Sequence, residues 1–257
     1  MPENEKISLL GRKIFFLLPS ALTQNQIIPE LAQEEFEVYI IKDENKLRQA
    51  LKKYPDSIMI ASINEAMKED VWEKIIRGIK ENSETSAVDI GIIASLTDDS
   101  LKQKYLGQYK INCGFTVIKS DVNVAIKQLV VALNNVSAKG RRKYVRMMME
   151  SETNATVNLP MNGTFINGVI KDISAVGFSS TFVEAPGLKK NSLYADIQLR
   201  LQSQLLKAEG IVFGYRAADA ESVYVFLFTP RVDPSVKSRV RKYIQNHLQT
   251  RMDAELK

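Results

Sequence analysis

The sequence predicts an α/β unit followed by an antiparallel β-barrel with a closing helix. Three observations carry this: short apolar runs alternate with helical periodicity through residues 1–136, β-rich runs in close succession take over after residue 137, and the chain ends in an amphipathic stretch. With 257 residues, 45% of them hydrophobic, the chain is long enough for two domains that each bury a core.

The first run, Ile14 to Leu18, is stopped by Pro19-Ser20 and has the length and composition of a strand buried on both faces. Ile27, Ile28, Leu31 and Phe36 predict a helix through about residue 36, and Val38 to Ile41 the second strand. Leu47, Ala50 and Leu51 mark the next helix, Ser57 to Ala61 the third strand, and Val71, Trp72, Ile75, Ile76 and Ile79 the helix after it. Asp89 to Ala94 reads as the fourth strand, Ser100 to Tyr109 as a helix opened by the acidic cap Asp98-Asp99, and Gly114 to Ile118 as the fifth strand. A last helix, Asn123 to Asn134, buries Ala125, Ile126, Leu129, Val130 and Leu133. Five such units joined by short connections require right-handed crossovers and a five-stranded parallel sheet covered on both faces.

The helical pattern ends at a polar stretch with Gly140, so the expected organisation is a domain over 1–136, a linker over 137–146 and a second domain over 147–257. In the second domain the expected strands are Ala155–Leu159, Thr164–Asp172, Gly177–Val183, Leu193–Leu201, Leu205–Tyr215 and Ser222–Phe228, with Gly163, Pro186-Gly187 and Asp219 at turns. Six strands with no room for crossover helices predict a six-stranded antiparallel barrel, which leaves no open edge. Asp233 as N-cap and Pro234 at the first helical position then start a C-terminal helix with Val236, Val240, Tyr243, Ile244 and Leu248 on one face. Its Lys237, Arg239, Arg241 and Lys242 fall largely elsewhere and read as a solvated face.

Composition narrows the function. One cysteine, Cys113, and one histidine, His247, make a zinc enzyme or a nucleophile–histidine triad a poor reading, and no conventional enzyme site emerges. No leader, membrane span or membrane-inserting segment is legible, which predicts a cytoplasmic protein. The net charge of +5 is unevenly distributed: residues 1–136 carry 17 basic and 19 acidic side chains, residues 137–257 carry 18 and 11. A surface able to meet phosphate therefore belongs to the second half.

By element order and length, residues 11 to 136 resemble a response-regulator receiver domain. That family places acidic metal ligands after the first strand, a phosphoacceptor Asp at the end of the third, a Ser or Thr after the fourth and a Lys after the fifth. Here Leu18-Pro19-Ser20 and Ile60-Ala61-Ser62 supply no carboxylate, and only Ser95 and Lys119 fit. Ser95 and Lys119 also read as ordinary strand-end residues; otherwise the resemblance implies a pseudo-receiver used for docking, with the crevice at the strand C-termini as its ligand surface.

Two motifs frame the start of the barrel: Arg142-Lys143-Tyr144-Val145-Arg146, an R-x-x-x-R, and Asp172-Ile173-Ser174-Ala175-Val176-Gly177, a D-x-S-x-x-G. With one strand and a turn fitting between them, and Glu209-Gly210-Ile211-Val212 in a later strand, the second half closely resembles a PilZ domain, the bacterial receptor module for cyclic di-GMP. The resemblance implies that Arg142, Arg146, Asp172, Ser174 and Gly177 bind the ligand, with Arg141 as a further contact. The chemistry suits them. Guanidinium pairs bidentately with phosphate or with guanine O6 and N7 and stacks on purines, and a carboxylate accepts from guanine N1–H and its amine. No cofactor beyond the ligand cyclic di-GMP is implied. The downstream protein partner is unknown, and the family's roles suggest motility, adhesion or biofilm control. The competing expectations are a scaffold that binds no ligand, and, less favoured, nucleic-acid binding through the basic half with Tyr144, Tyr215 and Tyr243.

Overall fold

Consecutive apolar residues with no polar alternation must be covered on both faces, and β1 (Ile14–Leu17) is wholly buried. The computed structural model describes residues 10–63, 66–96, 98–118, 121–149, 155–183, 186–218 and 221–257. In it β1 pairs in parallel with β2 (Val38–Ile41) on one side and β3 (Ile58–Ile63) on the other, and β4 (Asp89–Ala94) and β5 (Phe115–Val117) complete the order β2-β1-β3-β4-β5. Alternate residues of each strand feed separate cores. Phe15, Leu17, Met59 and Ala61 pack with α2 (Glu44–Lys53) and α3 (Glu69–Glu81). Ile14, Phe16, Ile58 and Ile60 pack with α1 (Ile28–Gln33) and α5 (Val122–Asn135).

The short helix α4 (Asp99–Gln103) starts where the acidic pair predicts: the Asp98 carboxylate accepts from the backbone N–H of Ser100 and Leu101 at 2.9 and 3.1 Å. Two of the expected helices depart from regular α geometry. Thr23–Ile27 ahead of α1 and Lys104–Gln108 after α4 are π-helical, with wider turns than the 3.6-residue period assumes. Lys119 and Asp219 lie outside the described residues.

After α5 the chain is fastened to the base of this sheet. Arg12 N–H donates to the Ala138 carbonyl at 2.8 Å, while its guanidinium donates to Val136 O at 2.7 Å, Ser57 O at 3.1 Å and the Asp89 carboxylate at 2.5 Å. Gly140 then passes so close to Leu10 that a Cβ there would fall 2.3 Å from the Leu10 carbonyl oxygen.

The chain divides into two units, one running through Lys143 and taking in Leu248–Lys257, the other Tyr144–His247. In the second unit β7 (Ala155–Met161), β8 (Thr164–Ser174), β9 (Gly177–Phe182), β10 (Leu193–Leu201), β11 (Gln204–Ala218) and β12 (Glu221–Phe228) hydrogen-bond in the order β8-β7-β10-β11-β12-β9, and β9 returns to β8 to close a six-stranded antiparallel barrel. A seventh, short strand absent from the sequence expectation, β6 (Arg146–Met148), pairs with Asp172–Ser174 of β8. The stacked rings of Phe178 and Phe226, 4.8 Å apart, lie in the barrel core with Ile173 and Val212.

The helix α6 (Pro234–Glu255) begins under the Asp233 cap, whose carboxylate accepts from Ser235 N–H at 2.7 Å, and buries Val236, Val240, Tyr243 and Ile244. Its end belongs to the α/β unit. There Met252 and Leu256 join the core of α2 and α3, and the Gln249 amide bonds both backbone groups of Ile40 on edge strand β2. No helix among the described residues is long and apolar enough to cross a membrane.

Candidate functional site

Asp172 owes its place to a break in strand alternation. Ile170 pairs with Ser180, but a bulge before Asp172 makes Asp172 pair with Ser179 and Ile173 with Phe178. Ile170 and Ile173 are both fully buried, so the bulge keeps both in the core and turns Asp172 and Ser179 to the opposite face. Arg146, the first residue of β6, lies across from Ser174 on the same strand β8.

This geometry assembles an ion pair with unequal exposure. Arg146 Nη1 is 3.3 Å from Asp172 Oδ1; the arginine side chain is 41% exposed and the aspartate 6%. The other carboxylate oxygen, Oδ2, accepts a hydrogen bond from the Ser179 hydroxyl. An isolated charge this deeply buried is costly, and two donors, one on each oxygen, offset the lost hydration. Ser179 carries no motif signal in the sequence, because Ser179, Ser180 and Thr181 form an undistinguished polar run.

Ser174 and Gly177 have structural duties beside Asp172. The Ser174 hydroxyl donates to the Gly177 carbonyl at 3.2 Å and accepts from Val176 N–H at 3.4 Å, closing the turn between β8 and β9. At Gly177 a Cβ would fall 2.1 Å from the Phe226 carbonyl oxygen, so the missing side chain admits strand β12. The structure therefore brings Arg146, Asp172, Ser174 and Gly177 together in the barrel unit. Arg141 and Arg142 are exposed and fall on the other side of the division at Lys143.

Of the polar residues at the strand ends of the α/β unit, Ser20 serves the fold. Ser20 accepts from Thr23 N–H at 3.2 Å and bonds the Thr23 hydroxyl, so it caps the helical stretch behind it; Ser62 is buried within β3, and Ser95 is exposed after β4. Cys113 is no ready nucleophile. Burial, reinforced by the nearby Asp89 carboxylate, pushes its thiol up to about 12.

No protein-family model matches the sequence, and no curated protein does. Among solved structures, the chain is similar to the PilZ domain of YcgR from Escherichia coli with c-di-GMP, at 16% identity and TM-score 0.39, covering 45% of this chain and 98% of that one. It is similar to the MrkH–c-di-GMP complex of K. pneumonia at 22% identity and TM-score 0.37, covering 46% and 56%, and to the Mn²⁺-bound response regulator Rcp1 at 12% identity and TM-score 0.39, covering 48% and 92%. Only about half the length of the longer YcgR and MrkH chains is spanned.

Proposed function

We propose that this chain is a non-enzymatic cyclic di-GMP receptor of the PilZ type, acting in the cytoplasm on a protein partner. Arg141, Arg142 and Arg146 would take the phosphates and the Hoogsteen edges or faces of the guanines, Asp172 the guanine N1–H and amine, and Ser174 and Gly177 the adjoining turn. The observation that carries this reading is the Arg146–Asp172 pair: a nearly buried carboxylate held against an exposed guanidinium, at the end of a segment with four basic residues in six. Both partners of that pair can be exchanged for ligand groups of the same polarity. The dianion replaces the carboxylate at Arg146, and the guanine edge replaces the guanidinium at Asp172.

Binding would order the arginine segment and so alter the orientation of the two units, because contacts made only in the bound state favour it. Isothermal titration tests the binding. Saturable uptake that falls at least tenfold in Arg142→Ala and Arg146→Ala supports it, by the usual cost of a lost charge-assisted contact of about 1.5–3 kcal/mol. No uptake by a folded chain leaves the ligand-free scaffold as the better reading. Small-angle scattering with and without ligand tests the reorientation, which an unchanged profile refutes.

A further inference from the structure

We propose that Ser179 is a specificity-determining positioning residue: its hydroxyl fixes the Asp172 carboxylate so that one oxygen is permanently held and the other is exchanged between Arg146 and a guanine edge. This rests on the cyclic di-GMP reading above and adds a residue that neither motif contains.

The two carboxylate oxygens are not equivalent. Oδ2 is held by a hydroxyl from inside the ladder, since Ser179 is 2% exposed and pairs directly with Asp172. Oδ1 faces Arg146, whose side chain is 41% exposed, so the exchangeable partner is on the open side. A carboxylate anchored at one oxygen cannot turn freely about its Cβ–Cγ bond. A guanine Watson–Crick edge is rigid and planar and presents N1–H and the amine side by side; Oδ1 takes one donor and the second lone pair of the held Oδ2 the other, so the orientation of the carboxylate decides whether both donors are met. Adenine lacks that pair of donors, so the same orientation sets the preference for guanine.

Strand β9 supplies its own contrast. The neighbouring Ser180 is fully buried and its hydroxyl has no hydrogen-bond partner among the described residues, so a buried hydroxyl here is not in general committed to the fold. The Ser179 hydroxyl is committed to the carboxylate. In this reading the guanine edge takes the place of Arg146 at Oδ1, while the Ser179 contact persists in both states.

The test compares Ser179→Thr with Ser179→Val in the full chain. The two side chains have nearly the same shape, both suit a strand, and only threonine keeps the donor. Cyclic di-GMP and cyclic di-AMP are titrated into wild type and both variants, and thermal unfolding of each unliganded chain checks the fold. Wild type and Thr should bind cyclic di-GMP within about threefold of each other. Val should bind it about tenfold more weakly and lose guanine-over-adenine preference by the same factor, the scale of one hydrogen bond to a charged group. Ser179→Ala adds no atoms and should repeat the Val result, which covers the case in which branching disturbs β9. Equal preference in Thr and Val, or in wild type and Ala, overturns the proposal while leaving cyclic di-GMP binding intact. No binding by wild type removes the receptor reading itself, and this role with it.

Discussion

Asp172 combines a formal charge with 4% exposure, and the groups around it explain why that is tolerated. Removing either donor leaves a buried carboxylate short of a partner, whereas Asp172→Ala removes the buried charge, lets the exposed Arg146 rehydrate and strands the buried Ser179 hydroxyl, a cost of about 1–3 kcal/mol read as a lowered midpoint in denaturant. Gly177 is the opposite case. Its backbone approaches Phe226 so closely that Gly177→Ala should destabilise the barrel by about 2–3 kcal/mol through overpacking, read as a lowered midpoint in denaturant. Loss of ligand binding in that variant would therefore report on the fold of the barrel. At this scale the gathering of Asp172, Ser174 and Gly177 at the β8–β9 turn follows from the D-x-S-x-x-G motif, whereas nothing in the sequence marks Ser179 as the partner of Asp172. The bulge between Ile170 and Asp172 resets which residues share a face, and simple alternation counted from Ile170 would turn Asp172 inward.

Among the elements, the strands of the α/β unit were the most legible, because runs such as Ile14–Leu17 leave no polar residue to face water. The π-helical stretches and β6 were not: a wide turn barely alters apolar spacing, and three residues beginning with an arginine carry no strand signal. The end of α6 was half legible. The stripe read through Leu248 continues at Met252 and Leu256, but its attachment to β2 depends on Gln249, whose amide completes the hydrogen bonding of an edge strand as a neighbouring strand would. Gln249→Ala should lower the stability of the α/β unit by about 1–2 kcal/mol, seen in amide exchange at Ile40. Nearby, hydrogen bonds from Lys53 and Tyr54 hold the Glu255 carboxyl down to about 2 from 4.5. A depressed carboxylate stabilises the fold above its unfolded value and loses that contribution as pH falls through the folded one. The helix end should therefore loosen between about pH 4.5 and about 2. Because the pair is largely solvated, the effect stays below about 1 kcal/mol, and Glu255→Gln should flatten it.

For the whole molecule, the division at Lys143 and the return of Leu248–Lys257 to the first unit mean that the C-terminal residues stabilise the α/β sheet. Truncation after His247 should expose the Met252 and Leu256 sites and destabilise that unit by about 3–6 kcal/mol, at about 1.5–3 kcal/mol for each buried side chain. The barrel's own core should be spared, and the aromatic signal of Phe178 and Phe226 should keep its unfolding midpoint. The uneven charge is explained at this scale too. Arg141, Arg142 and Arg146 are three of the excess positive charges of the second half, and the proposed function assigns them to a small guanine dianion in place of a nucleic-acid surface. The central claim is that Arg146 and Asp172 together form a cyclic di-GMP site. It is tested most directly by calorimetric titration of cyclic di-GMP into wild type, Arg146→Ala and Asp172→Ala at fixed salt. Saturable binding by the wild type, weakened at least tenfold in each variant, is the predicted result; a flat titration of the folded wild type, or unchanged affinity in both variants, would contradict it.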